Sequence, residues 1–361
     1  MPEERGRKHL RRPKDILVMR NGALGDFILT LPVLKSLNNA FPFARIVVMG
    51  NPAIVALVQH QIAGIISNDM PGLYTLYGDR CTIPEDIKQK LGCFDLVICY
   101  GKDPDGNVMS NLKRIGIPWI IDGTFSIAER LTTHATDLLL LPLKKEGLPV
   151  YPDPPRIIPS VADREFAGQF LGSIQKSARS QTLVAFHPGS GSSKKCWPVK
   201  NFSQLATWVK NVFGVTILLI SGPADQYRTD EMMSLIKHCN PVLVHQSSLT
   251  HLAAILERCS MFIGNDSGVT HLAAAVGIPT LTLFGPTDFR IWGPKHEQVK
   301  HLQSSYPCAP CSPKQMDQCS HPACMEALSL GAVEKVFTGT FSQLLLSFFN
   351  NPTTYHFGRE S

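Results

Sequence analysis

The sequence predicts an α/β protein with two doubly wound domains, because apolar strand-like runs alternate with helical patterns in two separate series. The 361 residues are enough for two such domains, each with a core of its own. Six prolines within residues 142–160 separate the two series, which is typical of a stiff linker. We therefore expect a parallel sheet flanked by helices in each half of the chain.

The individual elements follow from these patterns. In the first half the strand-like runs are 16–19, 45–49, 95–99 and 117–121, with helical patterns at 27–39 and 52–60. In the second half the strand-like runs are 182–186, 215–220, 241–244, 261–264 and 279–284, with helical patterns at 163–175, 201–212, 226–238, 249–257 and 268–276. We expect domains at 1–155 and 156–332, with an amphipathic helix over 333–349 joining the first domain.

Composition is that of an ordinary globular protein, with 44% hydrophobic and 18% charged residues, but its net charge of +6 is unevenly spread. Residues 5–14 contain six Lys or Arg and no acid. Such a run is either a solvated terminus or a contact with an anionic membrane surface. Because the positive excess is local and no basic and aromatic residues interleave, nucleic acid is not an expected partner.

The sequence shows neither a run of 18 apolar residues nor the apolar region of a secretory signal. We therefore expect a cytoplasmic protein whose ten cysteines are mostly reduced.

The loop after the first strand-like run, RNGALGDF at residues 20–27, combines two glycines with an acid. Gly22 and Gly25 allow a tight turn and the close approach of a ligand. Asp26 has two interpretations: a helix cap or first-turn acid that complements the helix dipole, or a general base at the mouth of a cleft. The loop lacks the GxGxxG pattern, and no acid follows the second strand, which argues against a Rossmann oxidoreductase.

The first strand of the second half leads into HPGSGSSKKCWP, residues 187–198. Its hydroxyl groups, including those of Ser190 and Ser192, lie beside Lys194 and Lys195. Backbone N–H groups together with a lysine form an anion site, most simply for phosphate. The alternative is a flexible polar loop with solvated lysines.

Another polar loop, GNDSGVTH at residues 264–271, opens a helix. Asp266 and Ser267 are good N-caps, and Gly268 lets a ligand approach the helix N-terminus, which favours anions. His271 lies one turn inside, either beside the ligand or as a packed polar side chain. Asp225, in the SGPAD turn after the run 215–220, either accepts hydrogen bonds from sugar hydroxyls or caps the next helix.

Five segments carry a resemblance to a known family: GALGDFILTLPVLKSL, HPGSGSSKKCWP, GPAD, GNDSGVTHLAAAVGIPTLTLFGPTD and WGP, in this order within residues 16–294. The sequence resembles the heptosyltransferases of glycosyltransferase family 9. The resemblance implies a GT-B fold, in which two Rossmann-like domains face each other across a cleft. It also implies transfer of heptose from ADP-heptose to a lipopolysaccharide inner-core acceptor, with inversion and without a metal for the chemistry.

The resemblance also implies residue roles by motif position. Asp26 matches the catalytic base, and Lys195 matches the lysine that steadies the departing diphosphate. Asp225 stands where the family commonly has a glutamate that holds the donor. The start of the donor-binding helix is matched by Asp266, Ser267, Gly268 and His271. Family enzymes act on lipid-linked acceptors at the cytoplasmic face of the inner membrane, so the basic N-terminus fits a peripheral association with that anionic surface.

Four cysteines lie within seventeen residues: Cys308, Cys311, Cys319 and Cys324. Four thiols are a possible tetrahedral site for structural zinc or iron. The segment resembles those of several relatives, including protein-modifying heptosyltransferases with an iron-holding finger. The alternative is a proline-ordered loop with free, buried thiols.

Two other functions fit the same motifs. One is a GT-B glycosyltransferase with another nucleotide-sugar donor or a protein acceptor. The other is a noncatalytic nucleotide-sugar-binding protein, although such a protein has no need for an acid like Asp26 opposite the phosphates. We expect acceptor choice to depend on the loops around 70–80 and 102–112.

Overall fold

The computed structural model describes residues 12–101, 103–125, 132–175, 182–222, 224–245 and 247–350. Most of the basic stretch 5–14 therefore lies outside the described residues. Of the described residues, those up to Gly22 and Leu29–Asp153 form one compact unit, which we call unit 1. Ala23–Ile28 and the described residues from Pro154 onward form the other, unit 2.

Unit 1 contains a parallel five-stranded sheet in the order β3-β2-β1-β4-β5. Its strands are Asp15–Arg20 (β1), Arg45–Gly50 (β2), Gly64–Ser67 (β3), Leu96–Tyr100 (β4) and Trp119–Asp122 (β5). The central strands are aliphatic and almost fully buried, as expected where helices cover both faces of a parallel sheet. The strand order reverses beside β1, so the loop that begins after Arg20 leaves the sheet at a switch point, where ligands of such sheets bind.

Unit 2 contains a parallel six-stranded sheet in the order β11-β10-β9-β6-β7-β8. Its strands are Leu183–His187 (β6), Thr216–Ser221 (β7), Val242–His245 (β8), Met261–Asn265 (β9), Thr280–Phe284 (β10) and Val299–Gln303 (β11). The order reverses between β6 and β9. The two polar loops that follow these strands, at 188–198 and 265–268, therefore emerge side by side.

Fifteen α-helices lie within the described ranges, together with short 3₁₀ turns. The first eight are Leu24–Ile28 (α1), Leu31–Ala40 (α2), Pro52–Val55 (α3), Glu85–Gly92 (α4), Asn107–Ile115 (α5), Ala135–Lys145 (α6), Val161–Gln175 (α7) and Val199–Phe213 (α8). The others are Gln226–Leu235 (α9), Leu249–Glu257 (α10), Gly268–Ala275 (α11), Phe289–Trp292 (α12), Pro313–Gln318 (α13), Ala323–Glu326 (α14) and Leu330–Asn350 (α15). None of the described helices is both long and apolar enough to cross a membrane.

The expected α/β class with two parallel sheets is confirmed. Some elements differ from the expected bounds. The predicted helix over 27–39 is two helices, because Pro32 lacks an N–H and lies in the first turn of α2 rather than inside a longer helix. Strands β3 and β11 were not expected: β3 has four residues, and β11 carries Lys300 and His301 among its five.

The C-terminal helix differs from the expectation that it joins the first domain. Val333, Phe337 and Phe341 of α15 lie in the core of unit 2. Their spacing of four residues places them on one helix face. The Phe337 ring lies 5.4 Å from the rings of both Trp208 and Phe213 of α8, so aromatic packing attaches α15 to unit 2.

Candidate active site

Three loops at the carboxyl edge of the unit 2 sheet meet at the carboxylate of Asp266, which follows β9. The Lys195 ammonium donates to Asp266 Oδ2 at 2.7 Å, and the Thr287 hydroxyl, after β10, donates to the same oxygen at 2.7 Å. The side chains of Lys195 and Asp266 are only 23% and 9% exposed. This ion pair is therefore partly shielded from water, and the lysine is held in place before any ligand binds.

The two adjacent lysines of the second loop have different partners. Residues Ser193–Lys195 form a 3₁₀ turn whose N-cap, Ser192, accepts the N–H of Lys194. The Lys194 ammonium bonds the carbonyls of Met316 and Asp317 near the end of α13, at 2.7 and 2.9 Å. Cations at helix C-termini are favoured in this way. Lys194 thus attaches the loop to the cysteine-containing segment, and Lys195 supplies the positive charge at Asp266.

The N-terminus of α11 is anchored to the second loop by Asn265, which we did not identify from the sequence. The Asn265 amide is fully buried, accepts the N–H of Trp197 at 2.9 Å, and donates to the carbonyls of Pro188 and Gly189. Ser267 is the N-cap of α11 and accepts the N–H of Thr270, as predicted. The first turn of α11 thus has a fixed position beside the loop 188–198, which we call the lysine loop.

Asp225 uses both carboxylate oxygens inside the protein. Oδ2 accepts from His187 Nε2 at 3.0 Å, and Oδ1 accepts the Ser190 N–H at 3.1 Å. It makes no side-chain cap to α9, so the capping alternative is not what this carboxylate does. Gly189 makes this possible, since a Cβ there would lie 2.0 Å from Asp225 Cγ.

His187 was not a predicted site residue, although it is the first residue of the segment 187–198 that contains Lys194 and Lys195. Its side chain is 1% exposed, and its Nδ1 lies 3.3 Å from the Ser267 hydroxyl. Ser190 Oγ donates to the Asp266 carbonyl at 2.6 Å. A lone histidine at the end of an apolar strand gives no sequence signal for these partners, which come from other strand ends.

The segment Ala23–Ile28, which carries Asp26, belongs to unit 2 and packs on α11. We expected it within the first domain. The physical reason is the pair Gly25 and Gly268: a Cβ at Gly268 would lie 2.8 Å from Leu24 Cβ, and one at Gly25 would lie 3.1 Å from His271 Cδ2. These glycines therefore allow two chain segments to approach each other closely.

Asp26 lies in the first turn of α1 and is half-buried. Its Oδ2 accepts the N–H of Ala23, the residue before α1, at 3.2 Å, as a first-turn acid that bonds back to the start of its helix does. A carboxylate oxygen has capacity for further hydrogen bonds, so this bond is compatible with the general-base interpretation too.

All of the predicted donor-binding residues, and Lys195 with them, belong to unit 2. They are Ser190, Ser192, Lys195, Asp225, Asp266, Ser267, Gly268 and His271. His271 is 5% exposed and packs against Gly25 at the interface of α11 and α1. Gly22 is the last residue of the first of the two chain segments that form unit 1.

The four clustered cysteines lie at and around α13 and α14. Burial, and then the neighbouring Cys311, Cys308 and Cys319, raise the pKa of the buried Cys324 thiol to about 11. The thiols thus influence one another. However, no group of three or more His, Cys, Asp or Glu side chains in the described ranges has an arrangement that could hold a metal ion. The possible zinc or iron site is therefore not seen among these residues.

The site offers a lysine, hydroxyl groups and a helix N-terminus at one sheet edge. Helix N-termini carry N–H groups without partners inside the helix and a partial positive charge. Together with Lys195 they are predicted to form an anion-binding surface suited to phosphate groups.

Comparison with known proteins gives a family match over more than half of the chain. The model of the family described as glycosyltransferase family 9 (heptosyltransferase) matches residues 133–321. A curated relative, lipopolysaccharide heptosyltransferase 1 of Pseudomonas aeruginosa, is 32% identical over 132 residues. Those residues are 37% of this chain and 36% of the relative, so the match spans only about a third of the relative's length.

Solved structures match over nearly the whole chain. A glycosyl transferase family 9 protein of Veillonella parvula has a TM-score of 0.75 at 22% identity, covering 92% of this chain and 98% of that one. The ADP-heptose lipopolysaccharide heptosyltransferase II of E. coli has a TM-score of 0.71 at 15% identity, covering 92% and 99%. The iron-containing dodecameric glycosyltransferase TibC of enterotoxigenic E. coli has a TM-score of 0.56 at 15% identity, covering 94% and 78%. These similarities confirm the GT-B fold.

Proposed function

Because the chain belongs to glycosyltransferase family 9 (heptosyltransferase), we propose that it transfers a heptose from ADP-heptose to an inner-core lipopolysaccharide acceptor. Family membership makes it a glycosyltransferase, and the donor, the acceptor and the residue roles are the proposal. The observation that carries the proposal is the pair Lys195 and Asp266 beside the N-terminus of α11.

The donor diphosphate binds at the first turn of α11 and at Lys195. The Lys195 ammonium has three donors, so it contacts the diphosphate while it keeps its bond to Asp266. Negative charge grows on the diphosphate as the bond to the heptose breaks. A cation that is already positioned stabilises that charge more in the transition state than in the ground state, which accelerates the transfer.

Asp26 acts as the general base. Its carboxylate takes the proton from the acceptor hydroxyl while that oxygen attacks the anomeric carbon of the heptose. The bond from this carbon to the diphosphate oxygen breaks, and its electron pair leaves with ADP, so the configuration inverts. The support is that α1, which carries Asp26, packs against α11 through Gly25 and Gly268.

The test is ADP release from ADP-heptose, measured with and without a lipopolysaccharide acceptor that lacks heptose. Acceptor-dependent release by the wild-type protein is the expected result. No release with any core acceptor contradicts the proposed transfer. The same assay with other nucleotide sugars, or with protein acceptors, distinguishes the alternative glycosyltransferases, and ADP-heptose binding without any turnover indicates the noncatalytic alternative.

The four clustered cysteines have two alternative roles, a structural zinc or iron site or a proline-ordered loop with free thiols. The solved relative TibC contains iron, and four thiols are chemically suited to either metal. The described arrangement does not by itself form such a site, so no step of the reaction depends on it. Metal analysis of anaerobically purified protein distinguishes them: one bound metal, lost in Cys311→Ser and kept in the exposed-cysteine control Cys93→Ser, indicates the metal site. A wild-type protein without metal contradicts it.

Membrane association is the last part of the proposal. The basic stretch 5–14 would bind anionic lipid at the cytoplasmic face, since each basic residue near such a surface contributes about 1 kcal/mol. Sedimentation with phosphatidylglycerol vesicles measures it. Binding that weakens as salt rises is expected, whereas no binding or salt-insensitive binding contradicts it.

A further inference from the structure

A closed ring of hydrogen bonds lies beneath the anion-binding surface of unit 2. His187 bonds Asp225, Asp225 bonds the N–H of Ser190, and Ser190 bonds the carbonyl of Asp266. Asp266 is joined by the chain to Ser267, whose hydroxyl lies 3.3 Å from His187 and closes the ring. The ring therefore joins the ends of β6, β7 and β9.

In this ring of hydrogen bonds, the His187 side chain bonds two residues from different strand ends, Asp225 after β7 and Ser267 after β9. A carboxylate only accepts, so the Nε2 atom that faces Asp225 carries a hydrogen. If the imidazole is neutral, Nδ1 then accepts a hydrogen bond from the Ser267 hydroxyl. If the imidazole is protonated, Nδ1 donates a hydrogen bond to that hydroxyl. In both cases the His187 imidazole, which is 1% exposed, connects Asp225, which holds the lysine loop, to Ser267, the N-cap of α11.

The ring connects both parts of the anion site. On one side, Asp225 fixes Ser190 at the start of the loop that presents Lys195. On the other side, the Ser267 hydroxyl accepts the N–H of Thr270 and so fixes the first turn of α11. Loss of His187 leaves the buried Asp225 carboxylate and the Ser267 hydroxyl without this partner, which allows the two anion-binding parts to move independently.

We propose that His187 is a positioning residue of the donor site, which aligns Lys195 with the N-terminus of α11 for a nucleoside diphosphate. The inference rests on the proposed function, since the ligand is the diphosphate of the donor. It also assigns Asp225 a supporting role, because its two oxygens bond His187 and the N–H of Ser190 and so help to hold the lysine loop.

The test is ADP binding measured by calorimetry for wild type, His187→Phe and His301→Phe. His301 is the matched control, because its ring also lies in unit 2 and bonds a threonine hydroxyl, Thr282, at 2.7 Å. We expect His187→Phe to weaken ADP binding about ten-fold or more, and His301→Phe to leave it within about two-fold, as loss of hydrogen bonds to a charged group implies. Equal affinity of wild type and His187→Phe overturns the inference. A wild-type protein that does not bind ADP instead contradicts the proposed function.

Kinetics provide a readout that a purely structural role does not change. Because the aligned site binds the diphosphate in the ground state and, through Lys195, more strongly in the transition state, His187→Phe should both raise the KM for ADP-heptose and lower kcat. A variant with fewer correctly folded molecules shows a lower kcat at unchanged KM, and that pattern overturns the inference.

A second pair of variants serves if His187→Phe does not fold. Gly189→Ala places a methyl group 2.0 Å from the present position of Asp225 Cγ, so it displaces the carboxylate from the ring. Gly191→Ala lies two residues away in the same loop and meets nothing within 4 Å. We expect only Gly189→Ala to weaken ADP binding by about ten-fold. Equal ADP affinity of the two variants overturns the inference.

Discussion

Lys195 Nζ lies 2.7 Å from Asp266 Oδ2, although both residues are predicted to face an anionic diphosphate. The acid does not remove the anion site, because the ammonium retains two further donors and the helix N-terminus adds its own N–H groups. It holds the lysine in one place. A positioned cation loses less entropy when the ligand binds than a mobile one, which favours electrostatic stabilisation of the leaving group.

The two neighbouring lysines should differ in their effect on activity. We expect Lys195→Met to lower kcat/KM by about 10²–10³-fold, as removal of a transition-state donor does. Lys194→Met removes only bonds to the carbonyls of Met316 and Asp317, so we expect a change of at most a few-fold. ADP-release kinetics of the two variants measure this. Similar losses in both variants contradict the separate roles.

Asp26 should matter for chemistry more than for donor binding. We expect Asp26→Asn to lower kcat by about 10²–10⁴-fold, the usual contribution of a general base, because an amide cannot take the acceptor proton. ADP affinity, measured by calorimetry, should stay within about two-fold of wild type. The control is Asp86→Asn, which replaces an exposed first-turn acid of α4. Near-normal turnover in Asp26→Asn rules out the base assignment.

The sequence predicted most of the fold because both sheets consist of apolar strands that are buried on two sides. β9 and β10, for example, are buried along their whole length and lie where the pattern predicted them. β11 was missed because its pattern, VKHLQ, matches a partly exposed edge strand rather than a buried one. The lysine loop and the 266–268 turn were predictable because ligands bind where polar loops follow buried strands.

The partners of the site residues could not be predicted in the same way. Whether Asp225 caps a helix, holds a sugar or bonds His187 depends on which strand ends are neighbours, and local sequence does not fix that. Likewise, the glycines at 25 and 268 indicated that some group approaches the backbone closely, but the sequence did not indicate which group. The structure places Leu24 and His271 there, so segment 23–28 packs with unit 2.

The contact between α1 and α11 should be sensitive to a single methyl group. Gly268→Ala places Cβ 2.8 Å from Leu24 Cβ and 3.1 Å from the backbone N of Gly25, so something must shift. We expect a loss of about 1–3 kcal/mol in the free energy of unfolding, as for other overpacked sites. The control Gly172→Ala, inside α7 with nothing within 4 Å of the added Cβ, should be neutral or stabilising by about 0.5–1 kcal/mol. Urea denaturation measures both, and equal stabilities of the two variants contradict the tight contact.

Alkaline pH should destabilise the protein through Cys259. Burial raises the pKa of this thiol from its ordinary value of 9.0 to about 12. Above pH 9 the unfolded chain loses the thiol proton and the folded protein keeps it, so stability is fully present below pH 9 and is lost as pH rises toward 12. At pH 10, one pH unit above the ordinary pKa, the loss from this group is on the order of 1 kcal/mol. Urea denaturation under reducing conditions measures the free energy of unfolding at pH 7.5 and at pH 10. The decrease between the two pH values should be smaller in Cys259→Ala than in wild type by about this amount. Cys93→Ala, which replaces an exposed thiol, should retain the wild-type pH dependence, and the same result for Cys259→Ala contradicts the raised pKa.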